Sequence, residues 1–165
     1  MLGVAEVKTM KLKPQTATFW QQYVNSLPDA GATARRFSEV FRIGDSEQSA
    51  DEGADLIKQG RKTTTSSLLW EYEVANKPLP QVGSLSIVED GSGTPVCIVE
   101  TTWLAIKKFS EVDAEFAYDY GEWDRTLESW RAQCWGYYEA QCRSIGKPAT
   151  PEMLLVCERL RVVYP

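Results

Sequence analysis

The chain has 165 residues, 43% of them apolar and 25% charged, with a formal net charge of −5 and no histidine. That length supports one globular domain with a full core, and the net acidity argues against a protein that grips long nucleic acid by its phosphates. The missing histidine removes Ser-His-Asp and Cys-His nucleophiles in their usual form and nearly all zinc chemistry, so any catalysis falls to Lys, Thr, Ser, Tyr, Asp or Glu.

The N-terminal stretch "MLGVAEVKTMKLKPQ" has scattered lysines and no continuous apolar segment of the signal-peptide kind. No apolar run approaches the roughly 18 residues that span a bilayer. A single domain over 1–165 in the cytoplasm is expected, with 1–15 as an N-terminal extension and no membrane partner. "TATFWQQYVNSL" places Phe19, Trp20, Tyr23, Val24 and Leu27 on one helical face and ends at Pro28. "RRFSEVFRIG" reads as a short strand or extended segment. "SEQSADEGADLIKQG" reads as a helix capped by Ser49 with Glu52 and ended by Gly60.

Immediately beyond that glycine stands "RKTTTSSLLWEYE", two cations followed by five consecutive hydroxyl residues, Thr63 to Ser67. The pattern is not a phosphate-binding P-loop, since the residue five positions before Gly60 is Asp55 rather than glycine and the residue just before Lys62 is Arg61. "SLLWEYEVAN" fits a short helix. The runs Ser84 to Glu89 and Pro95 to Lys107 flank the turn "DGSG", a hairpin signature. "SEVDAEFAYDYGEWD" starts at Ser110 as N-cap and breaks at Gly121. "TLESWRAQCWGYYEAQCRSIG" is an amphipathic helix capped by Thr126, and "EMLLVCERLRVVYP" closes the chain as an alternating strand. Mixed helices and hairpin-linked strands predict an α+β fold with a mainly antiparallel, curved sheet, a small barrel flanked by helices. Cys97, Cys134, Cys142 and Cys157 form no C-x-x-C pair and read as reduced, buried small hydrophobes.

A helix-ending glycine, then [RK]-K-T-x-T-x-S running into "LLWEYE", resembles the signature of the ASCH (ASC-1 homology) family. The likeness continues through "LPQVGSLSIVEDGSGTPVCIVETT", "KKFSEVDAEFAYDYGEWDRTLESWR" and "VCERLRVVYP". The resemblance implies a PUA-like antiparallel β-barrel with a cleft beside it. It also implies an activity toward nucleosides or RNA: members have been proposed to bind RNA, some small bacterial ones deacetylate N4-acetylcytidine, and ribonuclease action has been ascribed to others. The amidohydrolase-type motif is K-x-x-T with a downstream glutamate. Carried onto this chain, it makes Lys62, Thr65 and Glu122 the catalytic candidates, with Glu115 as a substitute for Glu122. Such members tend to carry arginine two residues after the threonine, where this chain has Ser67.

Arg61, Ser67 and Trp70 are the candidate substrate contacts, and no metal or cofactor is expected. The expected partner is a modified nucleoside or short single-stranded RNA. In a regular strand Lys62 and Thr65 would face opposite ways, so their cooperation needs a bulge or a twisted helix-to-strand junction. Burial would favour neutral Lys62 as a base, whereas a nearby carboxylate would favour the cation. A non-catalytic RNA-binding module and a ribonuclease are the alternatives to hydrolysis of an N4-acylated cytidine.

Overall fold

The computed structural model describes residues 11–165. The expectation for an N-terminal extension therefore lies mostly outside the described residues, and helix α1 (Pro14–Asn25) already begins within 1–15. Helix α2 (Ala30–Arg35) follows, then strand β1 (Phe37–Phe41), helix α3 (Glu47–Lys58), strand β2 (Thr64–Leu68) and helix α4 (Leu69–Val74). The second half runs β3 (Leu85–Glu89), β4 (Pro95–Lys108), a 3₁₀ turn (Phe109–Glu111), α5 (Ala114–Asp119), α6 (Leu127–Ser144) and β5 (Leu154–Tyr164). The α+β class holds, and no helix among the described residues is long and apolar enough to cross a membrane.

The five strands form one sheet in the order β1-β3-β4-β5-β2. The hairpin β3–β4 and the pairs β4–β5 and β5–β2 are antiparallel, but β1 runs parallel to β3. A parallel neighbour requires a crossover rather than a hairpin, and α3, β2 and α4 all lie between β1 and β3 in the chain. The sheet is therefore mixed rather than antiparallel. It is also open, because β1 pairs with β3 and β2 with β5, and these two edge strands do not pair with each other.

Helices cover the sheet through three apolar clusters. Trp20, Tyr23 and Val24 of α1 pack on Phe37, Leu85, Ile87 and Ile98, while Ala54 and Ile57 of α3 pack on Val88, Cys97, Val99 and Leu160. The third cluster joins Trp130, Cys134, Tyr138 and Cys142 of α6 to Phe116, Tyr120, Leu155 and Cys157. These α6 residues recur four apart, the spacing that puts side chains on one helical face. All four cysteines are free and buried, as the sequence suggested.

Candidate active site

The site is assembled at the junction between α3 and β2. Helix α3 ends in a Schellman motif: Gly60, at φ +77°, donates to the Ile57 carbonyl and Arg61 N–H to the Leu56 carbonyl. The helix is capped by Ser46 with Ser49 rather than by Ser49 with Glu52, one turn earlier than the sequence pattern suggested. This tight exit turns Lys62 inward, where it is only 1% exposed.

The hydroxyl run has a division of labour. Thr63 N–H donates to the Asp119 carbonyl and Thr64 Oγ1 to the Phe116 carbonyl, both at the end of α5. Ser66 shares a hydrogen bond with the Tyr138 hydroxyl, and Ser67 Oγ donates to the Tyr72 hydroxyl. Thr65 Oγ1 alone of the five has no hydrogen-bond partner among the described residues, and it opens onto a cleft of about 680 Å³. Strand β2 pairs residue for residue with β5 and carries no bulge, so Thr65 and Ser67 face away from Thr64 and Ser66.

Around Lys62, Nζ donates to Glu122 Oε2 at 2.9 Å and to the Tyr120 carbonyl at 3.3 Å, and it lies 3.1 Å from the centre of the Tyr120 ring. Burial pulls the Lys62 pKa down from its ordinary value, and Glu122 offsets part of that pull. Gly121 makes this contact possible. It sits at φ +76° against the Lys62 backbone, and a Cβ there would lie 2.5 Å from the Arg61 carbonyl oxygen and 2.8 Å from Lys62 Cα. No larger residue could bring Glu122 so close.

Lys62 itself is not part of the cleft wall; Tyr120 and Glu122, which cover its amine, are. The cleft occupies the gap between the two unpaired sheet edges, with Glu39 and Phe41 from β1 and Thr65 to Ser67 from β2. Tyr72 of α4, Glu158 of β5, Trp123, and Cys134 and Tyr137 of α6 complete much of its lining. Trp123 is 43% exposed and stacks on Tyr120 at 5.9 Å between ring centres, leaving indole surface at the cleft mouth. Burial pushes the Cys134 thiol up to about 12, so it is no thiolate nucleophile.

The lining carries six carboxylate residues, Glu39, Asp45, Glu52, Glu71, Glu122 and Glu158, against two cations, Arg42 and Lys77. Both cations are paired, Arg42 with Glu89 and Lys77 with Glu39. Among the described residues no group of three or more His, Cys, Asp or Glu is placed to hold a metal ion.

Of the six candidates from sequence, Lys62 and Glu122 meet, and Thr65 and Ser67 share the cleft wall with Glu122. Arg61 and Trp70 do not join them. Arg61 points away from its neighbour and donates through Nε to the Gly121 carbonyl at 3.0 Å, bracing the turn rather than reaching the cleft. Trp70 packs beside the α6 cluster with Lys147 5.7 Å over its ring. Two residues along a helix is a rotation of about 200°, so Tyr72 takes the cleft side of α4 and Trp70 the other. Glu115 lies at the surface, 3.6 Å from Arg159, and is not a partner of Lys62. Sequence reading missed Glu158, Glu39 and Tyr72. The available signal for Glu158 was a carboxylate on the strand face that otherwise carries Val156, Leu160 and Val162.

An α+β protein with an open mixed sheet and a polar cleft at its seam thus carries a buried lysine–glutamate pair. A family model described as the ASCH domain matches residues 39–164, and the chain belongs to the ASCH domain family. The crystal structure of an ASCH domain from Lactobacillus crispatus JV V101 is similar at a TM-score of 0.87 and 29% identity, covering 96% of this chain and 99% of that one. Protein EF3133 from Enterococcus faecalis V583 is similar at a TM-score of 0.77 and 28% identity, over 89% of this chain and 86% of the other. A search of curated proteins finds no match.

Proposed function

We propose that this ASCH protein is a hydrolase that cleaves the amide of an N4-acylated cytidine, with Thr65 as nucleophile and Lys62 and Glu122 as its proton-transfer pair. The observation that carries this reading is a lysine removed from water, held 2.9 Å from the carboxylate that faces the cleft. Thr65 attacks the amide carbonyl, and its proton passes to Glu122 and on to the Lys62 amine. Collapse of the tetrahedral intermediate returns that proton to the departing nitrogen, releasing cytidine. Water then attacks the threonyl ester, giving the free acid and restoring the hydroxyl. Glu122 is the relay because it shares the cleft wall with Thr65, whereas Lys62, which precedes β2, is not part of that wall.

The acidic lining supports a neutral nucleoside over a polyphosphate strand, since phosphate affinity comes from unpaired Lys and Arg. Trp123, backed by Tyr120, offers its exposed indole as a stacking surface for one base. The alternatives, an RNA-binding module or a ribonuclease, would instead favour a basic groove. Incubation with N4-acetylcytidine in the presence of EDTA tests the proposal: cytidine and acetate should form in equal amounts. No cytidine at high enzyme concentration refutes it, and salt-sensitive oligonucleotide binding without turnover would favour the binding module.

A further inference from the structure

The cleft holds a second ionisable group that the hydrolytic scheme leaves unused. Glu158 stands on β5 directly opposite Thr65 of β2, is only 7% exposed, and forms part of the cleft wall. Its Oε1 accepts a hydrogen bond from Thr101 Oγ1 at 2.9 Å, while its other oxygen has no hydrogen-bond or ion-pair partner among the described residues. The cation on this side of the cleft, Lys77, is engaged by Glu39. A buried carboxyl with no cation and one open oxygen does little for stability, because an amide or apolar group of similar size would pack as well.

We propose that Glu158 reads the base: its cleft-facing oxygen, carrying a proton, donates a hydrogen bond to the ring nitrogen N3 of an N4-acylated cytosine whose carbonyl meets Thr65. This inference rests on the hydrolase reading above. Directly opposed residues on antiparallel strands have Cβ atoms about 4.5–5.5 Å apart. The N3 atom is two bonds from the exocyclic nitrogen that bears the acyl group. A base whose acyl carbonyl is at Thr65 therefore brings N3 beside the neighbouring carboxyl. N3 is an acceptor in cytosine and a donor in uracil, so a protonated carboxyl matches the first and not the second.

The surroundings favour that protonated form. Burial pushes Glu158 up to about 7; the Thr101 hydrogen bond and Lys77 oppose the rise and Glu39 adds to it. Tyr72 and Glu71 of α4 are the other titratable groups facing this part of the cleft, and Tyr72 is itself pushed above its ordinary range by burial.

The test measures KM for N4-acetylcytidine, and inhibition by cytidine and uridine, from pH 6 to 8.5 in the wild type, Glu158→Gln and Glu158→Ala. Loss of one such hydrogen bond should raise the wild-type KM by about 10-fold as the pH rises through 7, with a smaller change in kcat. Glu158→Gln, whose amide donates at every pH, should keep KM flat, and it preserves the test should Glu158→Ala fold poorly. Glu158→Ala should show the high KM throughout and lose the preference for cytidine over uridine. If the wild type turns over but neither variant alters KM, its pH dependence or the preference, the inference is overturned and the hydrolase reading stands. If the wild type neither binds nor hydrolyses N4-acetylcytidine, both fall.

Discussion

The two sides of the α3–β2 junction put opposite charges through the same physical treatment. On one side Lys62 is withdrawn from water among Tyr120, Glu122 and the Gly121 turn. On the other, Thr65 and the buried Glu158 border the cleft. Desolvation dominates at both: it lowers Lys62 despite Glu122, and it raises Glu158 despite Thr101. The difference lies in the partner. Lys62 has a carboxylate that connects it to the cleft, whereas Glu158 has only a hydroxyl and leaves an oxygen open. Burial alone shifts a pKa; the geometry of the partner decides whether the group can move a proton or only meet a ligand.

The largest expected effect separates those roles. Lys62→Met should lower kcat by about 10²–10⁴-fold, the range for a lost acid–base group. Its melting temperature should fall, since Glu122 is left as a largely buried carboxylate without its partner. Retained turnover would remove Lys62 from the chemistry. Next, Thr65→Ala should lower kcat by about 10²-fold or more, and Ser66→Ala by no more than about 10-fold. The reverse order in single-turnover assays would move the nucleophile to the opposite face of β2.

A third prediction concerns stability and its dependence on pH. Glu158 ionises near 7 when folded, against an ordinary value of 4.5. Between those values the folded state binds more protons than the unfolded one, so stability falls as pH rises, and the full penalty applies above 7. Glu158→Gln removes the penalty. Denaturant titration should find this variant more stable than wild type at pH 8, by up to roughly 3 kcal/mol, with the gain vanishing near pH 4.5. A gain independent of pH would contradict the assigned shift.

A fourth prediction concerns the turn that joins the two regions. Gly121→Ala introduces both a strained φ and a clash with the Arg61 carbonyl, costing about 1–3 kcal/mol. It should also lower kcat by loosening Glu122 from Lys62. Full activity in this variant would show that the close backbone approach is dispensable.

Much of this site was legible because it is written locally. Gly60 ends a helix, Lys62 follows at the junction, and "GEWD" supplies the acid once the family pattern fixes Glu122. The β3–β4 hairpin was equally plain from "DGSG", and Trp20, Tyr23, Trp130 and Tyr138 declared themselves core by helical spacing. Long-range pairing was hidden. Nothing in "FSEVF" says that its partner is Leu85–Glu89 or that they run parallel, so the closed antiparallel barrel became an open mixed sheet. Arg61 and Trp70 sit beside site residues in sequence but are turned away by strand alternation and helix rotation. Glu158 belongs to the cleft only through its register with Thr65, which no local pattern reveals.

The central claim is that Lys62 is held in a low-polarity environment that favours its neutral amine while Glu122 links it to the cleft. An NMR pH titration of the Lys62 side-chain nitrogen, assigned by its loss in Lys62→Met, addresses this directly. A folded-state pKa below the ordinary 10.5, falling further in Glu122→Gln once the carboxylate that opposes the drop is gone, agrees with the burial and ion-pair geometry. A value at or above 10.5 in the wild-type protein would make Lys62 a permanent cation and contradict its role as a base.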